Sequence, residues 1–303
     1  MSSTATIVTA VEWSNPLLPA RYQMALTLGT HIVLACFGMA LPAMIFVLHR
    51  RGIRGDGDAL ELAQRWSKVA GVLFAIGAAS GTVLSFEMGL LWPGLMEQFG
   101  DVIGLAFALE GISFFTEAIF LGLYLYGWGR LPDRLHSLML LPIVGAGIVG
   151  SFFVVSVNAW MNNPTGFELA NGRVTAVDPV AAIFNDAVFV MFLHMFVAAY
   201  MVTGFMVASV YAAGVLRGNR TRFSRLGIVV PLAFAAVAAI AQVGVEILVR
   251  RQAVAREAHH VAIYRNGDAV GPLSAQCHSG ANLGFSFLAG SSVLAGSSVL
   301  AGS

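Results

Sequence analysis

The sequence predicts an all-α, polytopic membrane helix bundle. Three observations predict it: 57% of the 303 residues are hydrophobic, only 11% are charged, and long apolar segments recur along the chain. Soluble domains usually carry about 25% charged residues, so this chain has too few charges to cover a water-soluble surface. Two cysteines exclude a disulfide scaffold, and a net charge of +1 gives no support for a nucleic-acid partner.

Six apolar segments are long enough to cross a bilayer, which takes about 20 residues. In chain order they cover residues 24–47, 69–92, 102–128, 137–160, 186–216 and 226–249. The second, third and fourth segments end at tryptophans, whose rings favour the membrane interface. The fourth segment is rich in glycine and suits close helix packing. The six segments predict one bundle over 24–249, preceded by an outer N-terminal segment, 1–23.

The tail from residue 250 to residue 303 differs from the bundle. Its first part mixes polar and apolar residues without a clear period, and its end repeats LAGSSV. Such a short repeat predicts low complexity or disorder rather than a β-helix.

The loops predict the orientation of the bundle. Arginine is concentrated in the loops after the first, third and fifth segments, at Arg50, Arg51, Arg54, Arg65, Arg130, Arg134, Arg217, Arg220, Arg222 and Arg225. The intervening loops carry almost no basic residues. By the positive-inside rule, the three arginine-rich loops are cytoplasmic and the N-terminus lies outside.

Five ionisable side chains lie inside the predicted spans: His31, Glu87, Glu110, Glu117 and His194. Each costs about 2.5–3.5 kcal/mol in the hydrocarbon region, so such groups usually have a function. His31, Glu110 and His194 each lie about eight residues inside their spans, or about 12 Å deep. Glu87 lies near the same height, and Glu117 lies two turns deeper than Glu110 on the same helix face. The sequence therefore predicts one polar cluster in the outer half of the membrane.

Two histidines at one depth on different helices favour axial ligation of haem. Two carboxylates along one helix favour a proton relay, or a carboxylate near a high-spin iron. Hydrogen bonding to neighbouring helices remains an alternative for Glu110 and Glu117. Zinc is less favoured because the sequence has no HxxxH or CxxC pair. Glu246 is predicted to pair with Arg250 on the surface of its helix.

Five strings occur in an order and spacing that resemble a known family. They are MALTLGTHIVLACFGMALPAM, SGTVLSFEMGLLWPGLMEQFG, GLAFALEGISFFTEAIFLGLYLYGWGRL, NAWMNNPTGFEL and FLHMFVAAYMVTGFMVASVYA. Together they resemble subunit I of the cytochrome bd-type quinol oxidases, in the cyanide-insensitive-like branch. The resemblance runs from about residue 13 to about residue 242.

This resemblance implies a terminal oxidase of the bacterial cytoplasmic (inner) membrane. It would oxidise quinol at the outer face and reduce dioxygen to water with a low-spin haem b, a high-spin haem b and a haem d. The implied partners are subunit II, a small single-span subunit and membrane lipid. By matching position, His31 would ligate iron in the high-spin region, most readily haem d, and His194 would ligate the low-spin haem b. Glu110 and Glu117 would serve haem binding and the proton path, while Asn158, Trp160 and Pro164 match a motif of structural role.

Agreement with the family ends near Gln242. A quinol-binding QPxKxAAxE pattern is replaced by REAHHVAIYRNGDAVG, and three further family helices, with the second ligands of two haems, have no counterpart. The sequence therefore leaves a second interpretation open, a truncated and catalytically inactive haem-binding remnant. A transporter built from inverted repeats is a third, disfavoured because the two halves show no symmetry.

Overall fold

The structure is a computed structural model, and it describes residues 17–170 and 173–265. Within this part of the chain, six helices are long and apolar enough to cross a membrane. The predicted all-α membrane bundle is therefore confirmed. The predicted outer N-terminal segment up to residue 16 and the predicted low-complexity tail from residue 266 lie outside the described residues.

Four of the six spanning helices are longer than the predicted apolar segments because polar residues at their ends remain helical. The elements are α1 (Leu17–Gly52), α2 (Gly57–Leu91), α3 (Pro93–Tyr126), α4 (Asp133–Leu138), α5 (Leu140–Asn162), β1 (Glu168–Ala170), β2 (Arg173–Thr175), α6 (Pro179–Ile183), α7 (Val188–Leu216) and α8 (Arg222–Arg265). Helix α8 thus continues past residue 250, where the sequence analysis ends the bundle.

Helix α1 has the central position in the bundle, since it packs against α2, α5 and α7. Two other close pairs complete the bundle, α3 with α5 and α7 with α8. One apolar core surrounds Leu48, Leu62 and Ile143 near the ends of the helices that face the arginine-rich loops. A second core surrounds Ile103 and Trp160 near the opposite ends.

Helices α7 and α8 touch at glycine. A Cβ on Gly204 would lie 2.5 Å from the carbonyl oxygen of Pro231 and 2.7 Å from the Cβ of Ala235. A Cβ on Gly227 would meet the ring of Tyr211 at 2.5 Å. The absence of side chains at these positions lets the two backbones approach, as is common between membrane helices.

The loop between α5 and α7 is ordered by its own hydrogen bonds. Trp160 donates from its indole nitrogen to the carbonyl of Thr165 at 2.9 Å. Gly166 adopts a φ of 78°, which favours glycine. The Asp178 carboxylate then caps α6 by accepting from the backbone of Val180 and Ala181. Trp160 accordingly fastens the end of α5 to the loop that covers it.

The arginine-rich end of the bundle, formed by residues 49–58, 124–137 and 217–226, is held by an ion-pair network. Arg222 contacts both carboxylate oxygens of Asp56 at 2.9 Å and reaches Asp58 at 3.0 Å. Arg51 contacts Asp56 at 3.3 Å. Because Arg222 begins α8 and Asp56 precedes α2, these contacts join two loops that are far apart in sequence.

Asp56→Asn is expected to lower the thermal stability of the detergent-solubilised chain at pH 7. Hydrogen bonding from Arg222 lowers the pKa of Asp56 below its ordinary value. A depressed carboxyl pKa stabilises the folded state above about pH 4, and this stabilisation is lost as pH falls through the folded-state pKa. The melting temperatures of wild type and variant should therefore converge once the pH falls below the folded-state pKa of Asp56.

Salt provides an independent check, since the Arg222 side chain is 59% exposed and its pairs are open to screening. The control is Glu61→Gln, which removes the partner of Arg65 on the same helix and should have a smaller effect. Equal effects of the two substitutions would contradict a loop-joining role for Asp56.

Candidate functional site

His31 projects from α1 against α2. Its Nδ1 atom lies 2.9 Å from the hydroxyl of Ser80. The next residue, Gly81, makes room for the ring, because a Cβ there would lie 2.9 Å from His31 Cε1. Ser80 therefore engages Nδ1, and Nε2 is the ring nitrogen left for a ligand.

His194 projects from α7 against α8. Its Nδ1 atom lies 2.8 Å from the amide nitrogen of Gln242 and 3.7 Å from a carboxylate oxygen of Glu246. The other Glu246 oxygen lies 3.3 Å from Arg250, which confirms that predicted pair. The structure adds His194 as a second neighbour of Glu246.

The amide of Gln242 shows how His194 can present a metal-binding nitrogen. Its Oε1 atom is buried without a hydrogen-bond partner. Amide oxygen and nitrogen are exchanged by a half-turn, and their assignment follows the hydrogen-bond network. The half-turn lets Oε1 accept from His194 Nδ1–H and leaves Nε2 of His194 as the bare nitrogen, while the amide N–H group takes the place in which Oε1 had no partner. Both histidines then have Nδ1 fixed by a neighbouring helix, as is usual for metal-ligating imidazoles.

The helices that carry the two histidines, α1 and α7, pack against each other. Residues Ile32 and Met195, which follow them in sequence, pack into one cluster with Cys36 and Ala199. A hydrogen bond of 3.0 Å from Thr203 to the carbonyl of Cys36 holds the same helix pair together. Packing of α1 on α7 therefore places His31 and His194 on the same side of this cluster.

Glu117 lies deeper, where α1, α2, α3 and α5 meet. It lines a crevice of about 10 Å³ together with Gly38, Phe74 and Ile143. That volume is close to what one water molecule requires. A Cβ on Gly38 would lie 3.6 Å from the Glu117 carboxylate, so small residues on α1 leave space beside it.

Glu110 lies two turns away on α3, at the level where its backbone faces Gly150 of α5. Within residues 17–170 and 173–265, no hydrogen bond to either the Glu110 or the Glu117 carboxylate is found. The alternative that these glutamates bond to neighbouring helices thus gains no support from the described contacts. The pair remains available for proton transfer or for a bound group.

Glu87 lies on the outer side of His31, between α1 and α2. Its Oε1 atom accepts hydrogen bonds from Gln23 at 3.0 Å and Thr27 at 2.9 Å. Its other oxygen is buried without a partner. Because Gln23 and Thr27 precede His31 by two turns and one turn, Glu87 lies further out than the sequence predicts.

The five groups do not form the single cluster that the sequence predicts. Across the described part of the chain, no hydrogen bond or ion pair joins any two of them, and no three metal-ligating side chains converge. Sequence spacing predicts how deep a side chain lies in the membrane. It does not predict which neighbouring helix that side chain will contact. The five groups therefore lie at three places: His31 and Glu87 between α1 and α2, Glu110 and Glu117 two turns apart along α3, and His194 between α7 and α8.

A buried aromatic cluster, which the sequence does not predict, lies at the arginine-rich end. The Tyr124 hydroxyl lies 3.0 Å from His49 Nδ1, and the ring of His49 stacks on Trp128 at a centroid distance of 4.8 Å. His136 donates from Nε2 to the carbonyl of Tyr124 at 2.7 Å. This bond satisfies a carbonyl at the C-terminal end of α3. The contacts give the cluster a structural role in joining α1 to α3.

Comparison with known proteins agrees with this arrangement. The family model described as "Cytochrome bd terminal oxidase subunit I" matches residues 19–262. A solved structure of the bd oxidase from Geobacillus thermodenitrificans superposes with a TM-score of 0.75 and 36% identity, over 78% of this chain and 55% of that chain. The chain is therefore a member of a family of membrane oxidase subunits. It belongs to the cytochrome bd terminal oxidase subunit I family.

Two Bacillus subtilis (strain 168) proteins are also similar. One, provisionally named as a cytochrome bd menaquinol oxidase subunit I, is 34% identical, over 72% of this chain and 50% of its own length. The other, cytochrome bd ubiquinol oxidase subunit 1, is 31% identical, over 69% of this chain and 45% of its own length. The chain thus spans about half the length of these relatives. Family membership and six apolar helices identify a multi-pass protein of the bacterial cytoplasmic membrane.

Proposed function

We propose that this chain supplies the haem-binding bundle of a quinol oxidase that oxidises quinol at the outer face and reduces dioxygen to water. The observation that carries the proposal is the pair His31 and His194. Each lies inside an apolar bundle, with Nδ1 engaged by a neighbouring helix and with no hydrogen bond at Nε2 to the described residues. Bound haem would accept electrons from quinol and deliver them to dioxygen.

The haem assignments follow from position in the family. His194, on α7, would ligate the low-spin haem b, and His31, on α1, would ligate haem d, beside the high-spin haem b. The residues fit such ligation. Gly81 clears one face of His31, and Gln242 can fix the ring of His194 through its orphaned oxygen. The haem-binding unit would be the bundle over residues 24–249, acting with subunit II and a small single-span subunit.

Glu110 and Glu117 would carry protons from the cytoplasmic side to the oxygen site. They lie two turns apart on α3, and Glu117 lines a crevice with room for about one water molecule. Proton transfer requires groups that can take up and release protons inside a region that is otherwise dry. Glu110 would also lie near the bound haem, as its counterpart in the family implies.

Glu117→Gln is expected to reduce quinol-dependent oxygen uptake and the accompanying proton uptake by at least about tenfold, since proton transfer by a side chain typically contributes 10²–10⁴-fold to a rate. The amide keeps the size of the side chain but cannot exchange a proton. Oxygen and proton uptake would be measured together in liposomes. The control is Thr116→Val, which removes a polar group from the neighbouring, half-buried position on α3. Unchanged turnover and proton uptake in Glu117→Gln would refute the relay.

The experiment that tests the function is a reduced-minus-oxidised absorption spectrum of the full chain, purified from membranes supplied with haem, together with quinol-dependent oxygen uptake. A haem d band with oxygen uptake is the expected result. Haem b bands alone, without uptake, would support the alternative of a catalytically inactive haem-binding remnant. A spectrum without haem would overturn the proposal.

A further inference from the structure

The hydroxyl of Ser80 has a single proton, and the distances around its oxygen indicate which neighbour accepts it. Ser80 Oγ lies 2.9 Å from the carbonyl oxygen of Gly77, one turn earlier on α2. A carbonyl can only accept, so Ser80 must donate to Gly77. The same Oγ lies 2.9 Å from His31 Nδ1, and toward that nitrogen it can offer only a lone pair.

We infer that Ser80 fixes the tautomer of His31, with the proton on Nδ1 and a bare lone pair on Nε2, and so acts as a positioning residue for an iron bound at Nε2. A neutral imidazole carries one N–H, and whichever nitrogen makes a donor bond leaves the other as the ligand. The link to iron rests on the proposed function, but the tautomer does not.

Gly81 completes the arrangement by fixing where the ring can lie. A Cβ at this position would stand 2.9 Å from Cε1, 3.6 Å from Nδ1 and 3.7 Å from Nε2. The backbone of α2 therefore borders the ring along the Nδ1–Cε1–Nε2 edge. Adjacent residues of α2 thus do two things to His31: Ser80 selects which nitrogen is bare, and Gly81 permits the ring to approach.

His194 provides an internal contrast. Its Nδ1 partner is the amide of Gln242, which offers either an oxygen or an N–H after a half-turn. Gln242 can therefore serve either tautomer, whereas Ser80, with its proton given to Gly77, can serve one. Loss of the Ser80 hydroxyl should affect His31 and leave His194 unchanged.

The test begins with the full chain without haem, in lipid nanodiscs at pH 8, with ¹⁵N-labelled histidine. The chain has seven histidines, and His31→Gln identifies the His31 signals. A bare ring nitrogen and an N–H nitrogen have distinct chemical shifts. Wild type and Ser80→Thr, which keeps the hydroxyl, should show an Nδ1–H tautomer at His31. Ser80→Ala should shift these signals toward the Nε2–H form. An Nε2–H signal in wild type, or no change in Ser80→Ala, would overturn the inference.

The haem-loaded protein separates this inference from the proposed function. An N–H···O bond at Nδ1 makes the imidazole a stronger electron donor. Ser80→Ala should therefore raise the midpoint potential of the haem at His31 and leave that of the haem at His194 unchanged, and Ser80→Thr should restore the wild-type value. A wild-type chain that shows the Nδ1–H tautomer but binds no haem would refute the proposed function and uphold the tautomer. Bound haem with no potential shift in Ser80→Ala would refute the positioning role.

Discussion

His194→Ala is expected to remove the low-spin haem b signal from the reduced-minus-oxidised spectrum. The substitution deletes the ring nitrogen that would bind iron, and residues 188–252 contain no other histidine to replace it. His31→Ala should instead remove the haem d signal, because the two ligands belong to different helices. Loss of a different band in each variant would show that the two histidines hold separate haems.

The matched control is His49→Gln. His49 is also a buried histidine of the bundle, but it lies at the arginine-rich end and contacts Tyr124 and Trp128. This variant should lose thermal stability and keep both haem signals. If His49→Gln removed the signals as fully as His194→Ala does, general unfolding rather than ligation would explain the loss.

Gly204→Val is expected to have the largest effect on folding among single substitutions of α7. The valine Cβ would fall 2.5 Å from a backbone oxygen of α8 and 3.0 Å from a backbone nitrogen. Neither backbone atom can move aside as a side chain would, so the helices must separate. Overpacking typically costs 1–3 kcal/mol, and we expect a loss of about 3 kcal/mol or more here because backbone is displaced.

Gly214→Val on the same helix is the control, since a Cβ at Gly214 would meet no atom within 4 Å. It adds the same side chain to the same helix without a clash. Melting temperature and the yield of monodisperse protein in detergent would be measured for both. Similar values for the two variants would mean that the α7–α8 contact at Gly204 is not needed for stability.

The membrane spans could be predicted from the sequence because hydrophobic length is a local property. Their ends could not, because helix α2 begins at residue 57 under a cap supplied by Asp56, well before the apolar run begins. The same holds for α8, which passes residue 250 through polar sequence. The hydrogen bonds of a helix join backbone groups, so a helix can extend through polar residues beyond the end of an apolar run.

The candidate site was predicted in part. His31 and His194 stand out because a histidine inside an apolar span is rare, and packing of α1 on α7 then places them on the same side of one packed cluster. Their partners Ser80 and Gln242 come from other helices and carry no such signal. Gln242 was detectable in principle as an amide within an apolar run. Glu87 was predicted on the right helix but too deep, because its depth relative to His31 depends on the axial position of α2 against α1.

The contact of Arg222 with Asp56 has a consequence for the order of synthesis. Asp56 emerges after the first helix, whereas Arg222 emerges only at the start of the last described helix. The Asp56 carboxylate therefore lacks this partner while the intervening helices enter the membrane. When Arg222 reaches the same side of the membrane, its ion pair with Asp56 links α2 to α8. This link completes a ring of packed helices formed by α2, α1, α7 and α8. A chain whose last two spans enter the wrong way round would leave Arg222 across the membrane, and the ring would stay open.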